Sequence, residues 1–246
     1  MSENISAARA DLAPKGKLHV GINFSNILLT ARDPVTRAPS GVALDLGHEL
    51  GKRLGVPVEI MSYESAGALA ESASKGEWQV GFLAIEPKRA NEITFTAAYV
   101  EIEATYLVPA GSPFKTMADV DSDGVRIAVT GKAAYDLYLT RTLQHAKLFR
   151  TENAEATFKL FTGDKMDALA GLRSQLEMDH EKMPGSRILE GRFTAVQQAA
   201  GTPRGHEAGA RYLAEFIEDA KATGLVARAI AKHKIRGLTV AAAAKL

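Results

Sequence analysis

Residues 76–100 read GEWQVGFLAIEPKRANEITFTAAYV. The run from Trp78 to Ile85 is almost continuously apolar, the pattern of a strand covered on both faces, as strands of a parallel sheet flanked by helices are. On its N-terminal side the same alternation repeats. Leu18 to Phe24 is a short apolar run, and Gly41 to Val56 sets Val42, Leu46, Leu50 and Leu54 at helical spacing before Gly55 stops the helix. Val56 to Tyr63 then reads as a strand and Ala66 to Lys75 as a short helix ended by Gly76. Strand, helix, strand, helix, strand in this order predicts a parallel α/β sheet.

Downstream, Thr105 to Phe114 joins an apolar strand to Pro and Gly punctuation, which suits a crossing between two domains. A second α/β series follows it. Val125 to Gly131 is a strand running into a helix over AAYDLYLTRTLQH, Met166 to Leu172 is another strand, and Phe193 to Pro203 reads as the return crossing. Two helices close the chain, over Gly205 to Thr223 and Leu225 to His233, with Tyr212, Phe216 and Ile217 on the apolar face of the first. No internal repeat is visible.

The 246 residues are 46% hydrophobic and 24% charged, enough apolar material for one large core or two smaller ones. Thirty Lys and Arg against 29 Asp and Glu leave a formal charge of +1, so no net field draws nucleic acid or anionic lipid, and neither is expected as a partner. The absence of cysteine excludes disulfides, thiolate metal sites and a cysteine nucleophile. No apolar stretch reaches the length of a membrane span. The opening MSENISAARADLAPKGK lacks the basic, apolar and small-residue regions of a secretory signal. The expected compartment is the periplasm if an upstream leader has been removed, and the cytoplasm if the given start is native.

Glu86, Pro87, Lys88 and Arg89, followed by Phe95, Thr96, Ala97, Ala98 and Tyr99, resemble the first-lobe motif of family 3 of the bacterial extracellular solute-binding proteins, the polar amino-acid ABC transporter type. The helix containing Gly41 and Asp45, the segment RIAVTGKAAYDLYL and the two final helices are similar to further parts of that family. The resemblance implies a type II periplasmic-binding-protein fold: two α/β lobes with a ligand cleft and two hinge crossings. Lobe one is expected over residues 17–107 and 203–246, and lobe two over 108–202. It further implies ligand capture by hinge closure, an ABC permease as partner and a monomer, with no cofactor and no metal.

On this resemblance Arg89 is the first candidate binding residue, since a guanidinium at a strand's C-terminal end offers a planar fork to a carboxylate. The Thr that opens the family motif is Glu86 here, and the family's small or hydroxyl position is Ala84. The Asp that pairs with a ligand ammonium is replaced by Leu172, with Arg173 directly after it. An apolar side chain cannot balance a buried cation, so an acid without a free amine is favoured, unless Glu86 takes over the ammonium. Lys132 and Ala133 open the second-lobe helix, where backbone amides favour an anion. Asn23 and Tyr63 follow the first two strands and are candidates for the first-lobe wall.

His180, in MDHEK, reads as part of a solvated turn rather than a metal site, and Asp119, Asp121 and Asp123 as a surface loop lacking the rest of a calcium loop. No nucleotide-binding or nucleophile-elbow motif is present. Two rival functions stay open. Cyclohexadienyl dehydratases resemble the same binding proteins, and Glu86 beside Arg89 is the acid positioned for such chemistry; a sensory binding protein is the other.

Overall fold

The computed structural model describes residues 2–235 and 237–244. The chain forms two compact units, one of Met1–Glu101 with Gln197–Leu246 and one of Ile102–Val196. Two strands carry the chain from one to the other.

The first unit opens with α1 (Ser2–Leu12), β1 (Leu18–Asn23), the short hairpin β2 (Ala31–Arg32) and β3 (Pro39–Ser40), and α2 (Val42–Leu54). It continues through β4 (Val58–Tyr63), α3 (Ala66–Glu71) and β5 (Val80–Ala84) into β6 (Ile93–Val108). β1 pairs in parallel with both β4 and β5, as the alternation of strands and helices requires. Trp78 is fully buried with Leu69, Ala73, Leu83 and Ile93 on one face of this sheet. Gly21 on β1 leaves room for it: a Cβ there would lie 2.5 Å from Leu69 Cδ1 and 3.1 Å from the indole, so any larger residue forces the Leu69 side chain to shift.

The second unit takes over within β6 and runs through α4 (Met117–Val120), β7 (Arg126–Thr130), α5 (Ala134–Thr142), β8 (Lys147–Thr151), α6 (Ala154–Gly163), β9 (Ala168–Leu172), α7 (Arg173–Glu181) and β10 (Arg187–Ile188). β7 pairs in parallel with β8 and β9, and β9 pairs antiparallel with β6. Alternate residues of these strands feed two clusters. Tyr106, Ile127, Val129, Ala168 and Ala170 pack with Leu139 and Leu189, whereas Leu107, Ala128 and Leu169 pack with Phe161 and Leu176. The sheet is therefore covered on both faces, which explains its near-continuous apolar strands.

β11 (Thr194–Pro203) returns to the first unit, where it pairs antiparallel with β5, and is followed by α8 (Glu207–Ala222), α9 (Leu225–Lys232) and β12 (Thr239–Val240). Asp45 on α2 accepts from Lys232 Nζ at 2.9 Å and contacts His233 Nε2 at 2.9 Å, fixing the end of α9 against α2. β12 pairs with Val100 and Glu101 of β6, and Lys221 Nζ donates to the carbonyls of Ala98 and Ala242 beside it.

The structure departs from the sequence reading in several places. Residues 2–12, to which no element was assigned, form α1 and pack on α8: Ala8 and Leu12 are fully buried, Arg9 Nε donates to Leu54 O at 2.8 Å, and Asp11 accepts from Gly209 N at 2.9 Å. Gly209 is needed for this approach, because a Cβ would come within 2.6 Å of Leu12 Cδ2. β8 and α6 fill a stretch in which no element was assigned, Asn153 capping α6 through the amide of Ala156. His180 stands in the last turn of α7 and contacts Ser186 Oγ at 2.9 Å, so the expected turn is helix that a serine ties off.

Candidate functional site

In the first unit, Asn23, Tyr63 and Ala84 each end a parallel strand, at the edge where open α/β sheets present ligands. Asn23 and Tyr63 are register partners. The Asn23 side chain is buried, and its Oδ1 accepts from both the amide (3.0 Å) and the hydroxyl (2.7 Å) of Ser25, which turns the chain out of β1. Tyr63 donates its hydroxyl proton to Glu77 at 2.7 Å. Burial first, with the Glu77 carboxylate, holds the phenol above its usual pKa against a hydrogen bond from Ser72. Both residues thus have structural partners where they stand.

After Ala84 the chain doubles back. The Ala90 amide donates to Glu86 O at 2.9 Å, and Arg89 opens a single 3-10 turn, so its guanidinium folds over the strand end and Nη1 donates to Ala84 O at 2.8 Å. Arg89 and Glu86 retain only 6% and 4% of their exposure. Burial lowers the Arg89 pKa from 12.5 to about 10, with the charge of Glu86 acting in the opposite sense. A guanidinium kept in so little water is a strong partner for an anion, since solvent competes weakly with it.

In the second unit, β7 and β9 are parallel with Ile127 level with Ala168 and Ala128 with Leu169. Lys132 and Ala133 follow the C-terminal end of β7, while Leu172 ends the neighbouring β9 and Arg173 opens α7. Lys132 adopts a left-handed backbone (φ 61°), an uncommon conformation for a non-glycine residue. Its amide donates to Asp136 Oδ2 at 2.8 Å. Asp136 is itself buried, and its other oxygen accepts from Arg150 Nε at 2.9 Å. The helix start expected to draw an anion therefore already holds one of its own.

Leu172 is half-buried and occupies the N-cap position of α7, where no side chain caps the helix. Arg173 turns to Glu103 of β6, Nε to Oε2 at 2.8 Å, and its Nη2 donates to Gly191 O. Arg192 Nη1 approaches the other Glu103 oxygen at 3.6 Å. Glu103, Arg192, Asp136 and Glu77 are absent from the residues singled out in the sequence. Only Asp136 carried a local signal, as a carboxylate in the first turn of a predicted helix; the others are brought in by register and by the return of the chain. Among the described residues, no group of three His, Asp or Glu is placed to hold a metal ion, and no helix is long and apolar enough to cross a membrane.

The sequence profile described as bacterial extracellular solute-binding proteins, family 3, matches residues 18–234. The chain belongs to that family. No curated protein matches this family 3 chain. Among solved structures, the solute receptor for L-cysteine of Neisseria gonorrhoeae superposes with a TM-score of 0.78 at 20% identity, covering 94% of this chain and 95% of that one. A mutant of ArgBP from T. maritima gives 0.76 at 20% identity, covering 92% and 98%. The ancestral amino acid-binding protein AncCDT-1, a precursor of cyclohexadienyl dehydratase, gives 0.76 at 18% identity, covering 94% and 100%. The fold of this family 3 protein is the type II periplasmic-binding-protein fold that its sequence resemblance implied.

Proposed function

We propose that this family 3 protein captures a small organic carboxylate by closure of its two lobes and delivers it, as a monomer outside the cytoplasm, to the permease of an ABC transporter. The lobes in this reading are residues 17–107 with 203–246, and residues 108–202. The observation that carries it is the Arg89 guanidinium, buried at the C-terminal end of β5. Burying a charge there costs stability that its contacts must offset, and a planar fork is suited to a carboxylate. Glu86 and Ala84 frame that fork in the first lobe, with Asn23 and Tyr63 at its wall. Lys132, Ala133, Leu172 and Arg173 form the second-lobe side.

Leu172 supports an acid that lacks an α-ammonium, because its side chain has no acceptor for one. Glu86, buried beside Arg89, is the group that restores amino-acid binding if the ligand proves to carry an amine. The same buried carboxyl favours a second reading, dehydration of a cyclohexadienyl acid with Glu86 as the proton donor, which steady turnover of prephenate or arogenate would reveal.

A thermal-shift panel on ligand-stripped protein, pairing amino acids with their deaminated counterparts, tests the binding reading, since a ligand of the native state raises stability with the logarithm of its excess over Kd. Stabilisation by the deaminated acids is the expected result. Stabilisation by the amino acids alone overturns the organic-acid assignment and makes Glu86 the ammonium partner. Small-angle scattering with and without the stabilising acid then reads closure as a more compact profile.

A further inference from the structure

Residues 237–244 run along β6 at the point where that strand leaves the first unit. β12 pairs antiparallel with it, Thr239 opposite Glu101 and Val240 opposite Val100, and the amide of the buried Ala241 donates to Tyr99 O at 3.1 Å. The same segment is also gripped from α8. Lys221, whose side chain keeps only 5% of its exposure, donates to Ala242 O at 2.9 Å and to Ala98 O at 3.2 Å, and its ammonium lies 2.7 Å from Glu218 Oε1. Glu218 Oε2 in turn accepts from the Ala244 amide at 3.1 Å. An ammonium withdrawn this far from water is costly unless such acceptors compensate it, so β6, α8 and the segment are held as one piece. Glu101 is the last residue of the first unit on β6, and Gln197 is its first on β11, the returning strand. Gln197 Nε2 donates to Glu101 Oε1 at 3.3 Å. The segment thus reaches the pair of residues at which both crossings meet this unit.

We infer that residues 237–244 are a strap that holds β6 rigid up to Glu101 and so restrains the movement of the two units about their crossings. The inference goes beyond the proposed transport role and is independent of which ligand is bound. A hinge is a short stretch whose backbone dihedrals absorb the movement, and a strand bonded along its edge bends only by giving up those bonds. With the strap docked, Tyr99 to Glu101 are excluded from the hinge, and bending falls beyond Glu101. With the strap released, these residues join the hinge and the units sample a wider range of separations.

The chain holds no cysteine, so Ser74→Cys and Ser122→Cys, at exposed positions of the first and second units, give one spin label on each without background. Double electron–electron resonance on ligand-stripped, full-length protein then reads the distribution of distances between the units. Two lesions release the strap by different routes. Ala241→Pro removes the amide that bonds Tyr99 O, and Glu218→Gln with Lys221→Met removes the charged grip from α8. Both are expected to widen the distribution and to speed amide exchange over residues 99–103 by about tenfold or more, while exchange in β1 and β5 stays unchanged. Leu12→Ala, a core lesion at the opposite end of α8 from Lys221, is the control, and is expected to lower stability without widening the distribution. A distribution unchanged in either strap variant, or widened as much by Leu12→Ala, overturns the inference.

Discussion

Replacing Arg89 with Met and Glu86 with Gln together removes both charges buried at the end of β5 while keeping side-chain volume nearly constant. The fall of the Arg89 pKa from 12.5 to about 10 is caused first by burial and persists despite the charge of Glu86. At about 1.4 kcal/mol for each tenfold change in proton affinity, the charged guanidinium is disfavoured by about 3 kcal/mol relative to water. The double variant is released from that cost and loses the hydrogen bond to Ala84 O, worth about 1 kcal/mol net and more if the carbonyl finds no water. Stability is therefore expected to stay level or to rise by up to about 2 kcal/mol, since a buried charge costs more than the neutral group that replaces it. Arg89→Met alone leaves the Glu86 carboxylate buried without its neighbouring cation, and a loss of about 3–5 kcal/mol is expected. Urea unfolding of the two variants reads this difference. Calorimetry with the stabilising carboxylate reads the second half, a loss of at least tenfold in affinity in both. A double variant several kcal/mol less stable than the parent refutes the burial argument, and undiminished affinity removes Arg89 from the site.

Leu12→Ala is expected to cost about 2–5 kcal/mol, because a fully buried side chain packed against Gly209 leaves a cavity between α1 and α8; denaturant midpoints check it. Leu172→Asp should cap α7 and shift preference toward amino acids by tenfold or more, read by the ratio of affinities for an amino acid and its deaminated counterpart. For Asp121, burial raises the carboxyl pKa but is outweighed by hydrogen bonds from the amides of Ala146, Gln144 and His145, so the folded-state value lies below the usual 3.8. A depressed carboxylate contributes stability above its unfolded pKa and loses it as pH falls through the folded value. Asp121→Asn should thus be clearly destabilising at pH 7, and its difference from the parent in thermal midpoint should shrink once the pH drops below the usual carboxylate range.

The sequence by itself determined the fold class, because hydrophobic period is a local property. The run from Trp78 to Ile85, the spacing of Val42, Leu46, Leu50 and Leu54, and Gly55 as a left-handed helix stop reappear as β5, α2 and its C-cap. The motif around Arg89 was equally legible, since its residues are contiguous. What the sequence could not supply is the set of partners those residues acquire. The amide of Lys132 is taken by Asp136, four residues away, and the charge of Arg173 is matched by Glu103, seventy residues away. Glu103 reaches Arg173 only because β6 and β9 pair with Ala104 opposite Leu172, and Arg192 only because the chain returns alongside them. α1 is not legible in the sequence for the same reason: Ala8 and Leu12 make a narrow apolar stripe whose meaning depends on α8, nearly two hundred residues further on, and on Gly209 for room. Periodicity reports which face of a segment is buried. Tertiary structure alone decides which charge stands opposite which, because Coulomb energy depends on distance in space and carries no trace of separation along the chain.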